Sequence, residues 1–163
     1  MKNALKVSTI LSWVNLIAWG LFAGNGILES LFGGNPLLLL FAFLFSAIVL
    51  HSYACLKLQK SIKNPAIPLN SQTSVGIRFI GLIALLFGIG FFTLGFVALQ
   101  NIRTIAPLMA PQMPPEYKGV DLYHFVTGFG IFLMISGILI AVNVFLSFRL
   151  LRWYLFLREN DIK

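Results

Sequence analysis

The sequence predicts an all-α fold, an integral-membrane four-helix bundle with both termini in the cytoplasm. Three observations lead there. Charged residues make up 10% of the 163 positions and apolar ones 58%, with a mean hydropathy of +0.89. A water-soluble domain carries about 25% charged residues on the surface it turns to solvent. Four apolar stretches reach or pass the ~20 residues that cross about 30 Å of hydrocarbon. Lysine and arginine gather on alternate sides of those stretches, as they do on cytoplasmic flanks.

The first span is expected over about residues 7–28, with Trp13, Asn15, Trp19 and Asn25 set among apolar side chains. Its apolar run is too long for a secretory leader and lacks a small-x-small cleavage site, so it reads as an uncleaved helix. A tight turn with Gly33 and Gly34 leads to Pro36, which suits a helix start because its missing N–H is not needed there. The second span runs over about 36–58. A polar connection follows from Gln59 to Ser74, broken by Pro65 and Pro68. The third span covers about 75–99. The longest loop, Gln100 to Asp121, holds Pro107, Pro111, Pro114 and Pro115. The fourth span covers about 123–148, and its helix continues to about 158. One four-span domain fills the chain and leaves no length for a soluble catalytic module.

Orientation follows from the cations. With both ends inside, Lys2, Lys6, Lys57, Lys60, Lys63, Arg78, Arg149, Arg152, Arg158 and Lys163 all fall on the cytoplasmic side. Only Arg103 and Lys118 lie outside, balanced by Glu116 and Asp121. Topology therefore accounts for the net charge of +7, and nucleic acid is not expected as a partner. Membrane lipid is, since each surface cation attracts anionic headgroups by about 1 kcal/mol. Lys57, Lys60, Lys63, Arg78, Arg149 and Arg152 are expected as interface anchors, with Trp153 and Tyr154 in the aromatic belt. Arg78 lies about one turn inside its span, where a long stem lets the guanidinium reach the interface.

Lipid tails are as apolar as leucine, so membrane helices associate by close packing at small residues. The candidates are Gly20 and Gly24 in the first span, Gly81, Ala84 and Gly88 in the third, and Gly128 in the fourth. They suit packing inside the bundle, and they also suit contact with a second copy or another membrane protein.

Few residues offer chemistry. His51 and Cys55, four apart, share a face of the second span. Two soft ligands fall short of the four of a structural zinc site, so the pair reads as a packing contact, with the imidazole bonded to Ser or Asn on the first or fourth span. Haem ligation by both histidines is excluded by depth, because His51 lies about 22 Å along its helix from Pro36 while His124 sits near the outer end of the fourth. Met109 and Met113 are a thin basis for copper. No cofactor, metal or catalytic residue is expected. Asn15, Asn25, Thr93, Ser136 and Asn143 can bond between helices or line a narrow polar path. No carboxylate sits at mid-span, which weighs against a proton-coupled pump.

Residues 56–81 read LKLQKSIKNPAIPLNSQTSVGIRFIG. This stretch resembles the connection between the second and third helices in a bacterial four-helix inner-membrane family whose function is not known. The resemblance rests on the basic helix end (Lys57, Lys60, Lys63), Pro68, and the Arg78-x-Ile80-Gly81 segment. Leu69 stands where that family usually has phenylalanine. The resemblance implies a bacterial inner-membrane protein and brings no catalytic residue.

The expected activity is non-enzymatic, through contact with lipid or partner proteins. The alternatives are a subunit of an oligomeric transporter or channel, and a membrane enzyme or metal-binding protein using His51 and Cys55.

Overall fold

A computed structural model describes residues 2–112, 119 and 121–160. Met113, Pro114, Pro115, Glu116, Lys118 and Lys163 lie outside the described residues. The described chain is all-helical: α1 (Lys2–Gly33), α2 (Pro36–Lys63), α3 (Ser71–Gln100), α4 (Ile102–Met109) and α5 (Leu122–Asn160), with a 3-10 turn at Ala110–Gln112. Four of these, α1, α2, α3 and α5, are long and apolar enough to cross a membrane.

The helices overrun the hydropathic spans because local capping extends them. Gly34 takes a φ of 68°, the left-handed turn that ends α1, and its N–H reaches the Ser30 carbonyl at 3.0 Å. The Asn35 side chain then accepts from Leu37 N–H at 3.0 Å, starting α2 beside Pro36. Asn70 does the same for α3, accepting from Gln72 N–H at 2.9 Å. That cap moves the start of α3 from the expected Val75 back to Ser71. At its other end α2 extends to Lys63, so Gln59, expected in a connection, is helical. The loop after α3 also contains α4, which its prolines disguise. Ile102, Ile105, Ala106 and Met109 are its buried or half-buried face, at the i, i+3, i+4, i+7 spacing of an amphipathic helix.

The chain divides into two compact units. The first comprises Met1–Leu85 and Ile140–Lys163. In it α1 packs on α2 along much of their length. Trp19 meets Phe45 with ring centroids 5.2 Å apart, and a side chain at Gly26 would press on Ala42 and the Leu38 carbonyl. An apolar cluster of Ala54, Leu58, Leu69, Ile77, Leu150 and Leu151 joins α2, the 64–70 loop, α3 and α5. Tyr154 fastens that loop, its hydroxyl accepting from Leu69 N–H at 2.9 Å.

The second unit is Leu86–Leu139. Here the later turns of α3 and the early turns of α5 meet at glycines. A Cβ on Gly95 would collide with the Gly130 carbonyl oxygen, and one on Gly137 with the Gly88 carbonyl oxygen. Each pair is about two helical turns from the next, so the seam follows one face of each helix and the backbones touch.

The glycines named from the sequence differ in their surroundings. Gly81 and Gly88 are close-contact positions and Ala84 is fully buried. Gly20, Gly24 and Gly128 have nothing within 4 Å of a Cβ position. Glycine spacing alone does not say which face of a helix meets a neighbour; that depends on the whole face.

Candidate functional site: a buried polar network

The buried face of α1 is Ser8, Ser12, Asn15, Trp19 and Ala23, a stripe at helical spacing whose first three members are polar. The facing stripe of α2 is His51, Cys55 and Gln59, with Ser52 beside it, and α5 adds Asn143 and Ser147; all are buried. Meanwhile Leu21 is 70% and Phe43 76% exposed. Polar groups inside and large apolar groups outside invert the distribution of a water-soluble domain.

The polar side chains join three helices. Gln59 Nε2 donates to Ser8 Oγ at 3.0 Å and to Ser12 Oγ at 3.3 Å. Ser12 in turn donates to Asn143 Oδ1 at 3.1 Å. The relay from α2 through α1 to α5 uses the Ser12 hydroxyl as acceptor and donor at once. About a turn away, His51 Nε2 lies 3.2 Å from Ser147 Oγ and 3.4 Å from Cys55 Sγ. The Ser147 hydroxyl proton goes to the Val144 carbonyl at 2.7 Å. Nε2 therefore either donates to Ser147 or accepts from the Cys55 thiol, and the two choices require opposite imidazole tautomers. The ring is held close by its surroundings, since a Cβ on Gly81 would lie 2.9 Å from His51 Cε1 and 2.8 Å from Phe148 Cε1.

The network is not fully paired. Asn15 Nδ2, His51 Nδ1, Ser52 Oγ, Gln59 Oε1 and Asn143 Nδ2 are buried without a hydrogen-bond partner. All five belong to the first unit. Buried inside a protein, such groups each carry a penalty of roughly 1–3 kcal/mol.

Of the polar residues expected to bond between helices, Asn143 does so, accepting from Ser12 at 3.1 Å, and His51 meets a serine of the fourth span, Ser147, at 3.2 Å. Asn25 Nδ2 turns to Glu29 on its own helix at 2.7 Å, Asn15 is buried and Thr93 exposed. Ser8, Ser12 and Gln59 carry no such expectation, whereas Ser147 is one of the fourth-span serines open to His51. The signal was available for Gln59, which continues the His51–Cys55 face by one more turn, and for the Ser8–Ser12–Asn15 stripe. No group of three or more His, Cys, Asp or Glu side chains comes together among the described residues.

Apart from Arg103 in α4, the cations among the described residues occupy the start of α1, the end of α2, the start of α3 and the end of α5. Arg78, Arg149 and Arg152 are exposed. Lys57 Nζ stands 4.7 Å from the Tyr53 ring centre, a cation–π contact. Trp153 and Tyr154 are half-buried, so Tyr154 serves as a loop tie as well as an aromatic at that end. At the start of α5, Asp121 caps the helix through Tyr123 and His124 N–H. The His124 side chain, 2.7 Å away, holds the Asp121 carboxyl below its ordinary value through their hydrogen bond.

No protein-family model, curated protein or solved structure matches this chain.

Proposed function

We propose that the chain is a four-helix bundle of the bacterial inner membrane, with both termini cytoplasmic, that acts without catalysis through contacts with lipid and partner proteins. The observation that carries this reading is the division of labour among its side chains. The polar groups of the first unit are turned inward and spent on joining helices, and what faces outward is a large apolar surface with cations at the helix ends. Such a surface suits acyl chains, anionic headgroups and the apolar faces of other helices. The bias of Lys and Arg toward the ends of α2 and α5 and the starts of α1 and α3 supports the orientation.

One observation favours a second reading, a transport subunit. The unpaired atoms of Asn15, Gln59 and Asn143 would be satisfied by a polar solute or water passing between the helices. Reconstitution into liposomes separates the two. Contact function predicts ion and small-solute flux equal to that of empty vesicles. Flux above that level that disappears in Gln59→Leu would replace the contact reading with transport.

A further inference from the structure

Outside the network, α3 and α5 enclose an open cleft of about 570 Å³ within the first unit. Arg78 and Arg152 both line it, together with Leu82, Phe148, Phe156 and Glu159. The residue order on the two helices matches. Leu82 lies one turn further along α3 from Arg78, and Phe148 one turn back along α5 from Arg152, so on each helix the turn deeper into the span is apolar. Leu82 and Phe156 are 54% and 62% exposed, open to a ligand along the cleft wall. The only ion pair among the described residues is that of His124 with Asp121. Among the described residues, then, neither Arg78 nor Arg152 is paired with a carboxylate, and Glu159 sits about 10 Å along α5 from Arg152.

We infer that this cleft binds an anionic phospholipid, its phosphate held between Arg78 and Arg152 and an acyl chain laid against Leu82 and Phe148. Two like charges on one cleft repel, and an anion between them turns that repulsion into attraction. Guanidinium suits this task because its planar fork meets phosphate oxygens in pairs. The apolar walls supply the second half of the match, since a soluble phosphate would leave them uncovered. The inference rests on the membrane reading above but not on its orientation, because the cleft exists whichever side it faces.

The test is native mass spectrometry of the full chain in detergent micelles, titrated with phosphatidylglycerol or with phosphatidylcholine of the same chains. Circular dichroism melting of each variant confirms folding. One phosphatidylglycerol should bind in preference to phosphatidylcholine. Its affinity should fall about fivefold in Arg78→Gln or Arg152→Gln and about thirtyfold in the double variant. Arg152→Lys should recover part of the loss, and Lys57→Gln, outside the cleft, should change little. Equal binding of the two lipids, an unchanged affinity in a folded double variant, or full displacement by inorganic phosphate would overturn the lipid site. Cysteine labelling that placed the basic ends outside would overturn the orientation and leave the lipid result standing.

Discussion

The two units of this chain hold their helices by different means. In residues 86–139, α3 and α5 meet through glycine, with Gly95 against the Gly130 carbonyl and Gly137 against that of Gly88. In the unit of Met1–Leu85 and Ile140–Lys163, side chains do the joining, through Gln59, Ser8, Ser12, Asn143, His51 and Ser147. Neither method needs water to drive it. Close backbone contact gains dispersion and weak Cα–H···O bonds over a long seam, and it tolerates no added volume. A hydrogen-bond network tolerates volume but depends on donor and acceptor matching, and this one leaves five buried atoms unmatched. The difference suggests that the glycine seam is the more rigid region and the polar network the more adaptable one.

The largest effect should come from volume at the seam. Gly137→Leu sets a side chain against the Gly88 carbonyl and Phe92, so the helices must separate, at a cost of about 3 kcal/mol or more. Reversible unfolding in mixed micelles measures it. A Gly137→Leu protein as stable as the parent would mean that the backbones do not meet there.

A middle-sized effect belongs to the network. Gln59→Leu removes two interhelical bonds and should cost about 1–2 kcal/mol, given about 0.6 kcal/mol for an average membrane hydrogen bond and up to about 1.7 for the strongest. A double-mutant cycle with Ser12→Ala should show coupling of about 0.5 kcal/mol or more. Strict additivity would mean that Gln59 and Ser12 do not share the bond seen between them.

The smallest effect sharpens the contrast. Gly20→Leu, at a glycine with open space around it, should alter stability by less than about 0.5 kcal/mol. A loss as large as that of Gly137→Leu would show instead that Gly20 meets a second copy or a partner helix.

Much of the architecture was legible in the sequence because it depends on length and hydropathy, and the four long helices follow from these alone. Their ends were less so, since Asn35 and Asn70 cap helices by single side-chain bonds that a hydropathy window does not register. Helix α4 was hidden because Pro107 and Pro111 read as breakers, although Pro107 sits inside it. The polar network was half legible. His51 and Cys55 stood out as rare residues, while Ser8 and Ser12 look ordinary until a neighbouring helix turns Gln59 toward them. Gly20 and Gly24 formed a familiar small-residue motif, yet the close approaches fall at Gly26, Gly81, Gly95, Gly130 and Gly137. Which face of a helix is covered is a tertiary property, and no single helix encodes it.

The most direct measurement of the proposed topology is cysteine accessibility in intact cells. In a Cys55→Ala background, Ala110→Cys and Ser71→Cys each place one thiol at an exposed position, after α4 and at the start of α3. A membrane-impermeant maleimide added from outside should label the first and spare the second until the cells are lysed. Labelling of Ser71→Cys from outside with Ala110→Cys protected would invert the chain, and labelling of both would mean that the third helix does not cross.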